Sequence, residues 1–142
     1  MASVYNNCKA SLLKYCNSMA PDLKTTDFDS HASVEKWPDS DLIGIAEYSI
    51  ENQQEMYEIT VMIAVSSKAD DVQMDRMLPV VNTIFDDLVP LKHIDIVDAT
   101  SGDVIGNFVV TGSVHVLPAA RTKTRPVIMI AVSLAATFLD PP

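Results

Sequence analysis

Two cysteines are the first candidates for chemistry, because a thiolate can act as a nucleophile, a metal ligand or half of a disulfide. Cys8 and Cys16 lie in the first predicted helix, about 80° apart around its axis and roughly 12 Å apart along it. A disulfide needs Cα atoms within about 7 Å, so this spacing excludes a bond between the two. We expect both thiols to be small buried hydrophobic groups, in a reducing compartment.

The histidines and the acidic turns do not form a recognisable reactive site. His31 lies in a polar stretch, while His93 and His115 lie in different predicted strands without metal-ligand spacing. Residues 98–103 have the composition of a calcium loop, but the glycine comes one position early, so they predict a hairpin turn. No nucleophile elbow or phosphate-binding glycine loop occurs. The sequence predicts no catalytic, cofactor-binding or metal-binding residues and no enzyme, although a dispersed catalytic site is a third hypothesis.

One basic cluster stands out in a chain that is otherwise acidic. Arg121, Lys123 and Arg125 are three of the ten basic residues and lie between two prolines. If this stretch is extended, alternation places the three cations on one side. We expect them to dock on an acidic neighbour, since electrostatic complementarity fixes register and orientation. The alternative is a solubilising loop tip.

Length and charge limit the classes of protein that the chain can belong to. Its 142 residues are enough for one domain, spanning 1–142, with its own core. A formal charge of -9 makes it a poor non-specific binder of nucleic acid, because phosphate contacts need clustered Lys and Arg. The longest apolar run, 127–139, is shorter than the about 20 residues of a membrane-spanning helix, and no signal-peptide pattern occurs. We therefore expect a soluble protein that is not secreted.

Hydrophobic periodicity divides the chain into a helix at 3–20, a polar excursion at 21–41 and a sheet–helix–sheet core at 42–139. The excursion is long enough that we expect a short strand or ordered turn near His31 to Trp37. Within the core, two strands at 42–50 and 57–65 precede the second helix.

The second half of the predicted core also contains both helical spacing and strand alternation. Apolar residues at helical spacing over 74–88 predict a helix that kinks or restarts at Pro79. Strands at 94–98, 104–116 and 128–138 follow it. These elements predict an α+β fold, with a mostly antiparallel or mixed sheet of about four to five strands and two main helices packed mainly on one face.

The second face of the predicted sheet is less polar than water-facing surfaces usually are. We expect a neighbouring subunit to contribute to its cover, or else the helices or the excursion at 22–41 to cover it within one chain. The residues concerned are small or apolar: Thr60, Met62, Ala64, Met129, Ala131, Ser133 and Ala135.

Three stretches carry a resemblance to a known family. They are Trp-Pro-Asp-Ser-Asp-Leu-Ile-Gly-Ile at 37–45, Val-Val-Asn-Thr-Ile-Phe-Asp-Asp-Leu at 80–88, and Arg-Pro-Val-Ile-Met-Ile-Ala-Val at 125–132. With the order of elements, they resemble tailed-bacteriophage tail terminators of the minor tail protein U type, over residues 37–138. The resemblance implies a non-enzymatic virion protein that forms a six-membered ring at the head-proximal end of the tail tube.

Such a ring ends tube polymerisation and joins the tail to the neck and head. The partners implied are other copies of the chain, a tail tube protein and a head-completion protein, with double-stranded DNA passing through the lumen without specific binding. The implied location is the virion, and the host cytoplasm during assembly. Acidic residues lining the lumen would repel phosphates, or they would face a partner; the candidates are Asp86, Asp87, Asp95 and Asp98.

A second hypothesis belongs to a different class of protein. It is a small α+β ligand-binding or regulatory module that dimerises through its sheet. A closed dimer with a discrete apolar pocket distinguishes this hypothesis from the ring.

Overall fold

Two helices and eight strands make up the described part of the chain. The computed structural model describes residues 3–28, 37–53, 56–68, 70–71, 74–118, 120–121 and 125–139, with the backbone alone at 120 and 121. The elements are α1 (Val4–Met19), β1 (Lys24–Asp27), β2 (Leu42–Gln53), β3 (Met56–Ser66), α2 (Leu78–Asp87), β4 (His93–Val97), β5 (Val104–Val110), β6 (His115–Val116), β7 (Ala120–Arg121) and β8 (Pro126–Phe138).

The strands form one mixed sheet in the order β1-β2-β3-β8-β5-β4, and β6 and β7 also pair with β8. β1 runs parallel to β2, and the other described pairs are antiparallel. The α+β prediction is confirmed, but the sheet has more strands than the four to five expected. The additional strands β1, β6 and β7 are too short to show a period of two in the sequence.

One face of the sheet carries the core, because successive side chains of a strand point to opposite faces. Leu12 and Cys16 of α1 and Ile84 of α2 belong to the same buried cluster as this face. Both helices therefore pack on one side of the sheet, as the sequence predicts. The facing buried pairs across β3 and β8 are Ile59 with Leu134, Val61 with Val132, and Ile63 with Ile130.

The helix ends follow from capping and proline chemistry. The Ser3 hydroxyl accepts a hydrogen bond from the Asn6 N–H, which caps the start of α1. Helix α2 begins at Leu78 with Pro79 in its first turn, where a missing N–H costs nothing. The predicted helix over 74–88 thus restarts at the proline, after a turn. No helix of the described residues is long and apolar enough to cross a membrane.

The predicted strand over 104–116 is two strands in the structure. β5 ends at Val110, and β6 forms a separate two-residue pairing with β8. A register shift between β4 and β5 near Val104 turns this side chain away from the face that Phe108 occupies, so Val104 is 49% exposed. The predicted common face of Val104 and Phe108 is therefore corrected.

Strand β1 lies in the polar excursion and approaches β2 very closely. A Cβ at Gly44 would lie 1.6 Å from the Thr26 carbonyl oxygen, so the parallel pairing needs glycine there. The strand or turn expected near His31 to Trp37 falls outside the described residues, except for Trp37 itself.

Candidate interface

Arg125 lies inside the protein, although the sequence predicts it on a surface arm. Its side chain is 5% exposed. Nε donates to Ser66 Oγ at 2.8 Å and to the Ser67 carbonyl at 3.3 Å. Nη1 donates to the Pro38 carbonyl at 2.7 Å, and Nη2 donates to the carbonyls of Ser40 and Ser66. The structure therefore removes Arg125 from the predicted docking set.

These bonds make Arg125 the link between the start of β8, the segment before β2 and the segment after β3. A guanidinium suits this position because its five donors spread in a plane and can reach several carbonyls together. Burial lowers the pKa of Arg125, while the carboxylates of Asp39 and Asp41 oppose that shift. The Trp37 ring lies 6.0 Å from the guanidinium carbon, at the limit of a cation–π contact.

For the other two cations of the predicted docking set, the structure describes only the backbone of Arg121. The backbone of Arg121 lies in β7 and pairs with Pro126. Lys123 lies outside the described residues. Docking by Arg121 and Lys123 remains a prediction.

Two of the four predicted acidic residues are used within the chain. Asp87 accepts a hydrogen bond of 2.6 Å from the Tyr15 hydroxyl and forms an ion pair of 3.1 Å with Lys92. Asp98 is 7% exposed and accepts hydrogen bonds from two backbone N–H groups of the turn that follows it. We infer that Asp87 fixes α2 to α1 and that Asp98 shapes the β4–β5 turn.

Asp86 and Asp95 are the predicted acidic residues that face solvent. Asp86 lies in the last turn of α2, and Asp95 lies in the middle of β4. These two remain candidates for a lumen or partner surface, on different elements of the fold.

The sheet surface opposite the helices is here called the open face. One end of it is covered within the chain, because Phe28 and Trp37 pack against β2, β3 and β8 there, with their ring centroids 4.3 Å apart. Near the centre, Thr60 and Ser133 pair across β3 and β8 and are both exposed. The hypothesis that the 22–41 excursion covers this face therefore holds for one end, and the centre is open to solvent.

A groove of about 290 Å³, here called the β4 groove, lies between α1 and the edge of β4. Sequence reasoning missed it, because it depends on how far the helix stands from the strand. The lining residues are Ser11, Lys14, Tyr15, Ser18, Ile94, Asp95, Val97, Gly102 and Val104.

Two buried polar residues hold α1 against the end of β4. Ser11 Oγ accepts from the Val97 N–H at 2.9 Å and donates to the Val97 carbonyl at 3.5 Å. Asn7 Oδ1 accepts from the Ala99 N–H at 2.9 Å. Asn7 and Ser11 are spaced four residues apart on the buried side of the helix, which is the signal in the sequence that indicates a strand end beneath it.

Apolar side chains are exposed where α2 ends and the chain turns into β4. Phe85, Val89 and Leu91 are all exposed, and Leu91 is the most exposed at 74%. Leu91 has a φ of 69°, a left-handed conformation that glycine adopts easily but that is strained for a bulky residue such as leucine. Its N–H donates to the Val110 carbonyl at 2.9 Å, so backbone pairing holds this conformation while the side chain points to water.

The prediction that both cysteines are unbonded and buried is confirmed, since both thiols are free and lie in the interior. Burial raises the pKa of Cys8 to about 12, against a hydrogen bond with Tyr48 that lowers it. Burial likewise raises the pKa of Cys16 to about 12. At neutral pH both are therefore protonated thiols that are poor nucleophiles.

No family model and no curated protein matches this chain. Across the described ranges, no group of three or more His, Cys, Asp or Glu side chains could hold a metal ion. Three surface features of the described residues can contact a partner or a ligand: the open face, the β4 groove and the exposed apolar turn after α2.

Proposed function

We propose that this chain is a structural subunit of a ring at the head-proximal end of a phage tail tube. In this role it ends tube polymerisation, joins the tail to the neck and leaves a lumen for DNA. The observation that carries the proposal is the one-sided packing of the helices, which leaves the centre of the opposite sheet face, an edge strand and an apolar turn available to neighbours. The order of elements, which resembles phage tail terminators, supports it.

Charge also supports a passage for DNA. Each chain carries a formal charge of -9, so six chains would carry six times that, or -54. Acidic groups on the inner surface would repel phosphates and allow DNA to slide without binding. Asp86 and Asp95 are the exposed candidates for that surface.

The experiment that tests the proposal is light scattering over a range of concentrations, with negative-stain images of any large species. A ring with a central hole and the mass of six 15.5-kDa chains is the expected result, either alone or after mixing with tail tubes. Tubes that grow equally long with and without the protein, and that never carry it at one end, would refute the proposal.

The docking role of the basic segment needs its own variant. Replacing Arg121 and Lys123 by Glu tests docking, while Arg125 stays unchanged because it holds the interior together. We expect the double variant to lose assembly with an unchanged melting temperature. Assembly at wild-type concentration would show that these two side chains do not dock.

A small ligand-binding module that dimerises through its sheet is the second candidate function. The β4 groove favours it, because binding sites are concave and combine apolar walls with a few polar groups. A thermal-shift screen with small apolar acids tests it, since Lys14 is the exposed cation of the groove. Saturable stabilisation that the variant Lys14→Met loses would support this function.

A further inference from the structure

Strand β4 ends the sheet and leaves part of its backbone unpaired. Among the described strands it pairs with β5 alone, with His93 opposite Val109 and Asp95 opposite Asn107. The Val110 N–H donates to the Lys92 carbonyl, so the backbone groups of residue 92 point to β5. Because these directions alternate along an antiparallel strand, the backbone N–H and carbonyl groups of residues 93 and 95 point away from β5.

Hydrogen bonds from α1 confirm that the backbone groups of Val97, two residues after Asp95, also point away from β5. Val97 directs its N–H and carbonyl away from β5, and Ser11 of α1 binds both. The outward groups of His93 and Asp95 receive no such hydrogen bond from any residue that the structure describes. The edge is therefore closed by α1 at Val97 and open at His93 and Asp95.

We propose that a second copy of this chain pairs its own β4 with this open edge, antiparallel, around a two-fold axis at Ile94. In this register His93 lies opposite the partner's Asp95, and Asp95 lies opposite the partner's His93. The backbone N–H and carbonyl groups of all four residues point to the other copy, so the two residues of each pair exchange two backbone hydrogen bonds. An imidazole N–H donor and a carboxylate acceptor face each other twice, and this pairing selects the register over one that places two Asp95 carboxylates against each other.

The contact is isologous, since the same strand serves both copies and the two-fold axis closes the assembly at two chains. It therefore goes beyond the proposed ring, whose contacts are between different surfaces of neighbouring subunits. The inference does not require the ring or the ligand-binding module to be correct.

A mixed-cysteine experiment tests the register directly. The Cα atoms of a hydrogen-bonded antiparallel pair lie about 5.5 Å apart, which a disulfide can span. Under mild oxidation, we expect a disulfide-linked species of two chains when His93→Cys and Asp95→Cys proteins are mixed, and little from either protein alone. The matched control mixes His93→Cys with Glu51→Cys, because residue 51 is exposed on β2, away from this edge. Equal cross-linking in both mixtures would overturn the register.

Sedimentation of the wild-type chain tests the contact without cysteines. We expect a two-chain species, with an association constant that Asp95→Lys lowers about tenfold or more and the equal charge change Glu51→Lys leaves unchanged. Exchanging the two residues, His93→Asp with Asp95→His, keeps each imidazole–carboxylate pair in the same register and should keep association.

Three results would overturn the proposal. One is a wild-type chain that stays single up to about 1 mM, where a contact with a Kd near that value is substantially formed. Another is a dimer that Asp95→Lys and Glu51→Lys weaken equally. The third is a six-chain species that Asp95→Lys leaves intact, which overturns this edge contact while supporting the ring.

Discussion

Replacing Arg125 by Met is the substitution with the largest expected effect on stability. Methionine keeps most of the length and apolar volume of the side chain, so packing is largely retained. It removes every donor from a position where three separate segments meet, at Pro38–Ser40, Ser66–Ser67 and the start of β8.

The magnitude follows from the acceptors that lose their partner. A buried polar group left without a hydrogen bond costs about 1–3 kcal/mol, while the desolvation cost of the buried guanidinium disappears with it and offsets part of the sum. Several carbonyl groups and the Ser66 hydroxyl lose a donor together. We therefore expect the free energy of unfolding to fall by about 3–5 kcal/mol. At roughly 3 °C per kcal/mol for a chain of this size, the melting temperature falls by about 9–15 °C.

Chemical denaturation followed by circular dichroism measures this loss. Arg76→Met is the matched control, because Arg76 also connects separate segments, through ion pairs with Asp41 and Asp70, but is exposed to solvent. Surface ion pairs contribute little, so the control should unfold close to wild type. Arg125→Met unfolding at the same denaturant concentration as Arg76→Met would refute the structural role of the buried guanidinium.

Three smaller predictions concern other parts of the chain. Leu91→Gly should raise the free energy of unfolding by about 0.5–1 kcal/mol, because it relieves a left-handed backbone while removing an exposed side chain. Gly44→Ala should destabilise the protein in denaturant titrations, because its Cβ would overlap the Thr26 carbonyl and separate β1 from β2. Cys8 and Cys16 should react with an aromatic disulfide reagent at pH 8 only as fast as the protein opens, because burial raises the pKa of each to about 12.

A specific result would contradict each of these three predictions. A Leu91→Gly protein that unfolds more easily than wild type would contradict the strain argument. Wild-type stability of Gly44→Ala would show that β1 is not held against β2. Stoichiometric thiol labelling within seconds, without denaturant, would contradict the burial of the two cysteines.

Sequence periodicity predicts the fold well where a long segment has one apolar face. The alternation in β3 and β8 identifies the strands, and helical spacing identifies both helices, because burial on one side leaves a regular signal. The two-residue strands β6 and β7 leave no such signal. Val104 shows a different failure, since a register shift reverses which side of β5 it faces and alternation cannot reveal the shift.

The candidate site was harder to predict because its residues act through tertiary contacts. Arg125 alternates with Arg121 and Lys123 in sequence, yet carbonyl groups from distant segments converge on it. Asp98 resembles its acidic neighbours in sequence, but its carboxylate accepts hydrogen bonds from backbone N–H groups of a local turn. Charge alone therefore identifies a residue type, and only the surrounding backbone decides whether that charge faces a partner or the interior.

The central position of β8 has a consequence for the synthesis of the protein. This strand pairs with β3, β5, β6 and β7, so each of them keeps an unpaired edge until residues 126–138 have left the ribosome. Tyr57 must find Ala136 across most of the chain, and closing such a long loop is entropically slow. The nascent chain therefore carries an unpaired edge of β3 until β8 has been synthesised, which makes chaperone binding and aggregation compete with folding at that stage.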